Sequence, residues 1–127
     1  MLLEDIGNYL EQNGIGVLGT DIFLGQLPAS PDNVVALFEY AGYPPWLKLS
    51  CERPGLQVRV RSTHYTTGRT KIEKVTQVLH GVTEQTINGV RYVIIQAEQS
   101  PFPLGRDENG RIEWAVNFTV MKERHFV

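Results

Sequence analysis

The chain has 127 residues, 42% of them hydrophobic and 20% charged, and a formal net charge of −2. This length builds one hydrophobic core but is short for two, and a pI near 5.9 argues against a dedicated nucleic-acid binder. One cysteine, Cys51, excludes an internal disulfide, and no apolar run approaches the ~20 residues that span a bilayer.

The N-terminus MLLEDIGNYL carries acidic residues where a secretory signal carries basic ones, so the expectation is synthesis in the cytoplasm and no membrane partner. Leu2, Leu3, Ile6 and Leu10 recur at helical spacing, with Glu4 and Asp5 in the first turn, where the helix dipole favours negative charge. Asn13 and Gly14 end this helix. A short glycine-rich extended pair follows at 15–18 and 21–24, then a loop over 26–33 with Pro28 and Pro31. Residues 34–40 are apolar on both faces, which predicts a central strand. A turn is expected at 41–45 and another extended piece at 46–51.

Pro54 and Gly55 read as the opening of a strand over 56–63, with Val58 and Val60 on one face and Gln57, Arg59 and Arg61 on the other. A helix is predicted from about 67 to 80, burying Ile72, Val75 and Leu79 beside Val78. Gly81 caps it, and His80 stands where positive charge is favoured. Asn88-Gly89 suits a type I′ turn and joins 84–87 to 90–98 as a hairpin. A proline- and glycine-punctuated turn over 101–111 then feeds the most regular strand, 112–120. Ile112, Trp114, Val116, Phe118 and Val120 face one way, and Glu113, Asn117 and Thr119 face the other, with Ala115 as the small exception.

The order helix, several strands, helix, three strands predicts an α+β fold. It is read as a single domain over residues 1–127, a mostly antiparallel mixed sheet with two helices packed against it. The 112–120 strand near one end of the chain and the glycine-rich strands near the other are read as sheet edges, which are normally blunted or paired with another chain. Trp46 and Phe102, if exposed, would serve such pairing.

Several local patterns suggest chemistry and fail on context. Gly14, Gly16 and Gly19 spell GxGxxG, but a helix precedes them and extended chain follows, the reverse of a dinucleotide site. Asp107-Glu108-Asn109-Gly110 lacks the ligand spacing of a calcium loop and has the composition of a hairpin turn. Cys51, His64, His80 and His125 lie in no nucleophile signature and no metal-ligand spacing. No cofactor, metal or catalytic set is therefore expected. Asn117-Phe118-Thr119 fits a glycosylation sequon without a secretory context. The best polar signal is a basic cluster: Arg59 and Arg61 on one strand face, then Arg69, Lys71 and Lys74 on the next helix, with Glu73 among them. It reads either as a solvated surface or as a contact with acidic groups of another subunit or of nucleic acid.

Three segments in order, LGTDIFLGQLP (18–28), QVRVRS (57–62) with its following helix, and PLGRDENGR (103–111) leading into NFTV, resemble a family of small proteins of long-tailed phages and prophages. These are the tail terminator or minor capsid proteins, and the resemblance covers most of the chain. It implies a virion assembly protein without enzymatic activity, which caps the tail tube as a ring, commonly a hexamer, and forms the surface that joins the head. Implied partners are copies of itself, the major tail tube protein, head-completion or neck proteins, and DNA that passes through the lumen without sequence-specific binding. The implied location is the head-proximal end of the virion tail. Candidate residues for the subunit interface or lumen are Arg59, Arg61 and Arg69, with Asp107, Asn109 and Arg111 in a loop facing the tube or a neighbour. The competing readings are a head–tail joining protein and, from another class, a small ligand-binding or enzyme domain using Cys51 and His64.

Overall fold

The computed structural model describes residues 1–44 and 51–124. The expectations for Trp46, for most of the 46–51 piece and for His125 lie outside the described residues. Those described form two helices and seven strands: α1 Leu2–Gln12, β1 Ile22–Leu24, β2 Val34–Tyr43, β3 Cys51–Ser62, α2 Tyr65–Leu79, β4 Val82–Ile87, β5 Val90–Ala97, β6 Phe102–Arg106 and β7 Ile112–Glu123. The strands make one sheet in the order β1-β2-β3-β7-β5-β4, with β6 also paired to β7. Only β1 with β2 is parallel among the named pairs. The α+β reading, with two helices on a mostly antiparallel mixed sheet, is therefore correct.

One face of the sheet meets the helices. Leu2, Leu3, Ile6 and Leu10 of α1 and Ile72, Val75 and Leu79 of α2 join Leu56, Val58 and Val60 of β3 and Ile112, Trp114, Val116, Phe118 and Val120 of β7 in one core. Each such side chain contributes about 1.5–3 kcal/mol of gross burial free energy. Gly68 lets α2 approach closely: a Cβ there would stand 3.0 Å from Cδ1 of Trp114 and 3.1 Å from Cβ of Ser62. The α1 helix touches β1 and β2 at one end of the strand order and β4 at the other, so the sheet curls around it. A buried carboxyl fastens the curl. Tyr92 Oη donates to Asp5 Oδ2 at 2.6 Å, and Asn88 Nδ2, in the β4–β5 turn, donates to Asp5 Oδ1 at 3.1 Å.

Five sequence expectations are corrected. The 112–120 strand is not an edge, because β7 pairs with β3 on one side and with β5 and β6 on the other. The glycine-rich stretch does supply an edge, but as the three-residue β1 plus an isolated bridge from Leu18 to Ile22. The turn expected from 41 is strand through Tyr43, and Pro54-Gly55 lies inside β3 rather than opening it. The β2–β3 register shifts between Tyr40 and Tyr43, and a bulge at that point accommodates a proline that cannot donate to the ladder. Finally, 101–111 contains β6, so four strands rather than three follow α2. The Asn88-Gly89 hairpin stands as expected, with both residues at positive φ (51° and 78°) as a type I′ turn requires.

Candidate assembly surfaces

Alternation along β3 and β7 sends Arg59, Arg61 and Glu113 to the face away from the helices. They are not equivalent there. Arg59 is half-exposed and pairs with Glu113 across the ladder at 2.7 Å, its guanidinium 5.9 Å from the Phe38 ring. Arg61 is 3% exposed and is consumed by the chain itself: its Nε donates to the Asp32 carbonyl at 3.1 Å and its Nη2 to the Pro31 carbonyl at 2.7 Å. Burial, and then the charge of Arg111, lower the Arg61 guanidinium below its usual value, against the pull of Asp107, Glu113 and Asp32.

Arg111 is buried next to it. Its Nη1 donates to the Ala29 carbonyl and, at 3.3 Å, to Asp32 Oδ1, while its Nε donates to Asp107 Oδ2 at 2.8 Å. Asp107 Oδ1 also accepts from the backbone amides of Asn109 and Arg111 at 3.0 and 2.9 Å, which makes 107–110 a side-chain-locked turn. Partial desolvation pushes the Asp107 carboxyl up, but the Arg111 and Asn109 donors outweigh it and hold it below its usual value. Arg61 and Arg111 thus clamp the 29–32 loop onto the sheet, and Asp107 ties the β6–β7 turn to the same clamp. Asn109 stays exposed at the tip.

Arg69 lies on the opposite side of the sheet, on α2, paired with Glu73 at 2.9 Å and 5.8 Å from the Trp114 ring. Lys71 donates to the Ile15 carbonyl at 2.8 Å, and Lys74 is exposed. Of the six candidate residues, the structure brings Arg61, Asp107 and Arg111 together, sets Arg59 on the same face, leaves Asn109 at the turn tip and separates Arg69 from the rest.

Cys51 and His64 do not meet. Cys51 begins β3 and His64 lies beyond its other end, so the length of the strand, about 36 Å at ~3.3 Å per residue, stands between them. His80 Nδ1 accepts the Ala97 amide at 2.9 Å and so acts as a local cap. Among the described residues no group of three His, Cys, Asp or Glu could hold a metal ion, and no described helix is long and apolar enough to cross a membrane.

The sequence reading missed a second surface on the helix-free face. Tyr40, Tyr43, Gly55, Glu98 and Thr119 line a groove of about 590 Å³. Tyr40 Oη and Thr119 Oγ1 both donate to Glu98 Oε1, at 2.5 and 3.0 Å. Burial, then the Glu98 carboxylate, raise the Tyr40 phenol above its usual value. The signal was faint: Tyr40 ends an expected strand and Tyr43 falls in an expected turn, and the four segments that build the groove lie far apart in sequence.

A family model described as bacteriophage tail terminator protein matches residues 9–124. Among solved structures, the chain is similar to one described as "Virion of native gene transfer agent (GTA) particle", with a TM-score of 0.75, covering 96% of this chain and 94% of that one. At 15% identity this likeness establishes the fold alone. Comparison with curated proteins finds no match. A match spanning nearly every element from the middle of α1 to the end of β7 leaves one conclusion: the chain belongs to the bacteriophage tail terminator family.

Proposed function

We propose that this chain forms a ring, a hexamer, on the head-proximal end of the phage tail tube, where it ends tube growth and provides the surface that joins the head. The observation that carries this reading is the family match over residues 9–124. The likeness in fold to a chain of a virion particle supports a place in the virion. The mechanism is geometric and needs no bond chemistry. A contact between two different patches propagates head to tail, and it closes when the rotation per subunit divides a full turn.

In this reading the partners are further copies of the chain, the major tail tube protein, head-completion or neck proteins, and DNA passing through the lumen. Arg61, Asp107 and Arg111 act by holding the 29–32 loop and the 107–110 turn in shape, while Arg59, Arg69 and Asn109 present outward to a neighbouring subunit or the lumen. A net charge of −2 is compatible with a channel that must release DNA, and any phosphate contacts there are few and salt-sensitive.

The test is the mass of the purified protein by light scattering over a range of concentration and salt, alone and with purified tail tubes. A closed hexamer, alone or on the tubes, is the expected result. Binding to heads and not to tubes would replace this reading with a neck protein. A monomer under every condition, tubes included, would overturn it.

A further inference from the structure

Two surfaces keep chemistry that the chain itself leaves unused. The first is the groove on the helix-free face. Tyr40 and Tyr43 are 36% and 57% exposed at its wall, and one face of the Tyr43 ring is covered by the Arg53 guanidinium at 4.6 Å. The Glu98 carboxylate at its rim holds two hydroxyls through one oxygen and makes no ion pair among the described residues. Among the described residues the outer edge of β2 beside the groove is open as well, since β1 pairs with β2 only at Val35, Ala36 and Leu37.

The second surface is the β6 hairpin. Pro103, Leu104, Gly105 and Arg106 are exposed, Leu104 by 46%. Leu104 falls where the β6–β7 register shifts, so it stands out of the ladder. Arg106 donates to the Gly110 carbonyl at 2.7 Å and, among the described residues, meets no carboxylate.

These surfaces are complementary. An unpaired guanidinium with an adjacent exposed leucine matches an unpaired carboxylate with adjacent exposed tyrosines, and arginine suits both a carboxylate and an aromatic face. They do not meet within one molecule. Glu98 is bonded to Thr119 and Arg106 pairs with Ile112, positions about 23 Å apart along β7 at ~3.3 Å per residue. Because the two patches differ, their contact is heterologous and runs head to tail.

We propose that the β6 hairpin of one copy, through Arg106 and Leu104, seats in the Tyr40–Tyr43–Glu98 groove of the next copy. This assignment rests on the ring reading above and names the contact that closes the ring.

The experiment measures mass against concentration, with and without tail tubes, for the wild type, Glu98→Arg, Arg106→Glu and the double swap. Each single swap faces like charges across the contact. It should raise the concentration for half-assembly by about tenfold to a hundredfold, and the double swap should restore assembly to within about threefold. Circular dichroism and the unfolding midpoint establish that each variant is folded. Leu104→Asp and Tyr43→Ala, both exposed, test the same contact should a charge swap fail to fold, and each should weaken assembly similarly. Single variants that assemble like wild type, or a double swap that stays apart, would overturn the proposal and leave the terminator reading standing. Wild-type protein that forms no ring even on tubes, a mass of two copies included, would overturn both.

Discussion

Replacing Asp5 by alanine tests whether the curl of the sheet depends on its buried carboxyl. Asp5 accepts from Tyr92 Oη and Asn88 Nδ2, and Tyr92 is fully buried 87 residues away in sequence. Without the carboxyl, the Tyr92 hydroxyl loses its acceptor inside the core, at a cost of about 1–3 kcal/mol. The charge-assisted character of the bond places the loss in the upper part of that range, whereas Asn88 is exposed and water replaces its partner. Asp5→Ala should therefore lower stability by about 3 kcal/mol, or roughly 10 °C in Tm for a domain of this size. Tyr92→Phe alone should cost about 2 kcal/mol, since Asp5 keeps its Asn88 donor. The double variant has no orphaned group, so it should cost about 2 kcal/mol less than the sum of the singles. Urea unfolding of the four proteins gives the coupling directly, with unchanged m-values as the condition for comparing them. Additivity within about 0.5 kcal/mol would refute the reasoning, because it would mean that the hydroxyl and carboxyl do not depend on each other.

Three further outcomes follow from the same structure. Burial first, and then an acidic partner, hold the phenols of Tyr92 and Tyr40 above their usual value, so the unfolded chain sheds these protons first. The stability that both supply is complete below about pH 10 and is lost as the pH rises beyond it. Tyr92→Phe should remove its part of that alkaline slope, up to about 1.4 kcal/mol per pH unit, and an unchanged slope would sink the assignment. Arg111→Met keeps the buried stem but removes the guanidinium that bonds the Ala29 carbonyl, Asp32 and Asp107 Oδ2, so a loss of about 2–4 kcal/mol and faster amide exchange at Asn109 are expected. Arg59→Met, on a half-exposed pair, should cost no more than about 1 kcal/mol, and the reverse order in urea unfolding would contradict the clamp.

Much of the architecture was legible because burial writes itself into periodicity. The alternation from Ile112 to Val120, the stripe Ile72, Val75, Leu79 and the Asn88-Gly89 turn each identify an element and the face it buries. Periodicity does not reveal which strands are neighbours. The same alternation fits an edge strand and a central one, so it does not distinguish the central β7 from an edge. Proline and glycine were over-read as turn formers at Gly42, Pro54, Pro103 and Gly105, where bulges keep the strand running. The arginines show the sharper gap. Nothing local separates Arg59 from Arg61, because what buries Arg61 is a pair of loop carbonyls about thirty positions away. The groove was equally hidden, since Tyr40, Glu98 and Thr119 meet only once the sheet has formed.

The position of β7 bears on how the protein folds as it is made. β7 follows every other described strand in the chain, yet it is the seam that β3, β5 and β6 all pair with. A nascent chain stopped before residue 112 has β1 to β3 on one side and β4 and β5 on the other, with no ladder between the two groups. Its three waiting edges and the apolar faces meant for Trp114, Val116 and Phe118 are open to other chains. Folding of this sheet is thus deferred until residues 112–123 have been made, and it depends on pairings of long sequence separation that form slowly. A fragment truncated before this strand offers no finished surface to a growing particle, so the same seam that holds the sheet together keeps incomplete copies from being built into a virion.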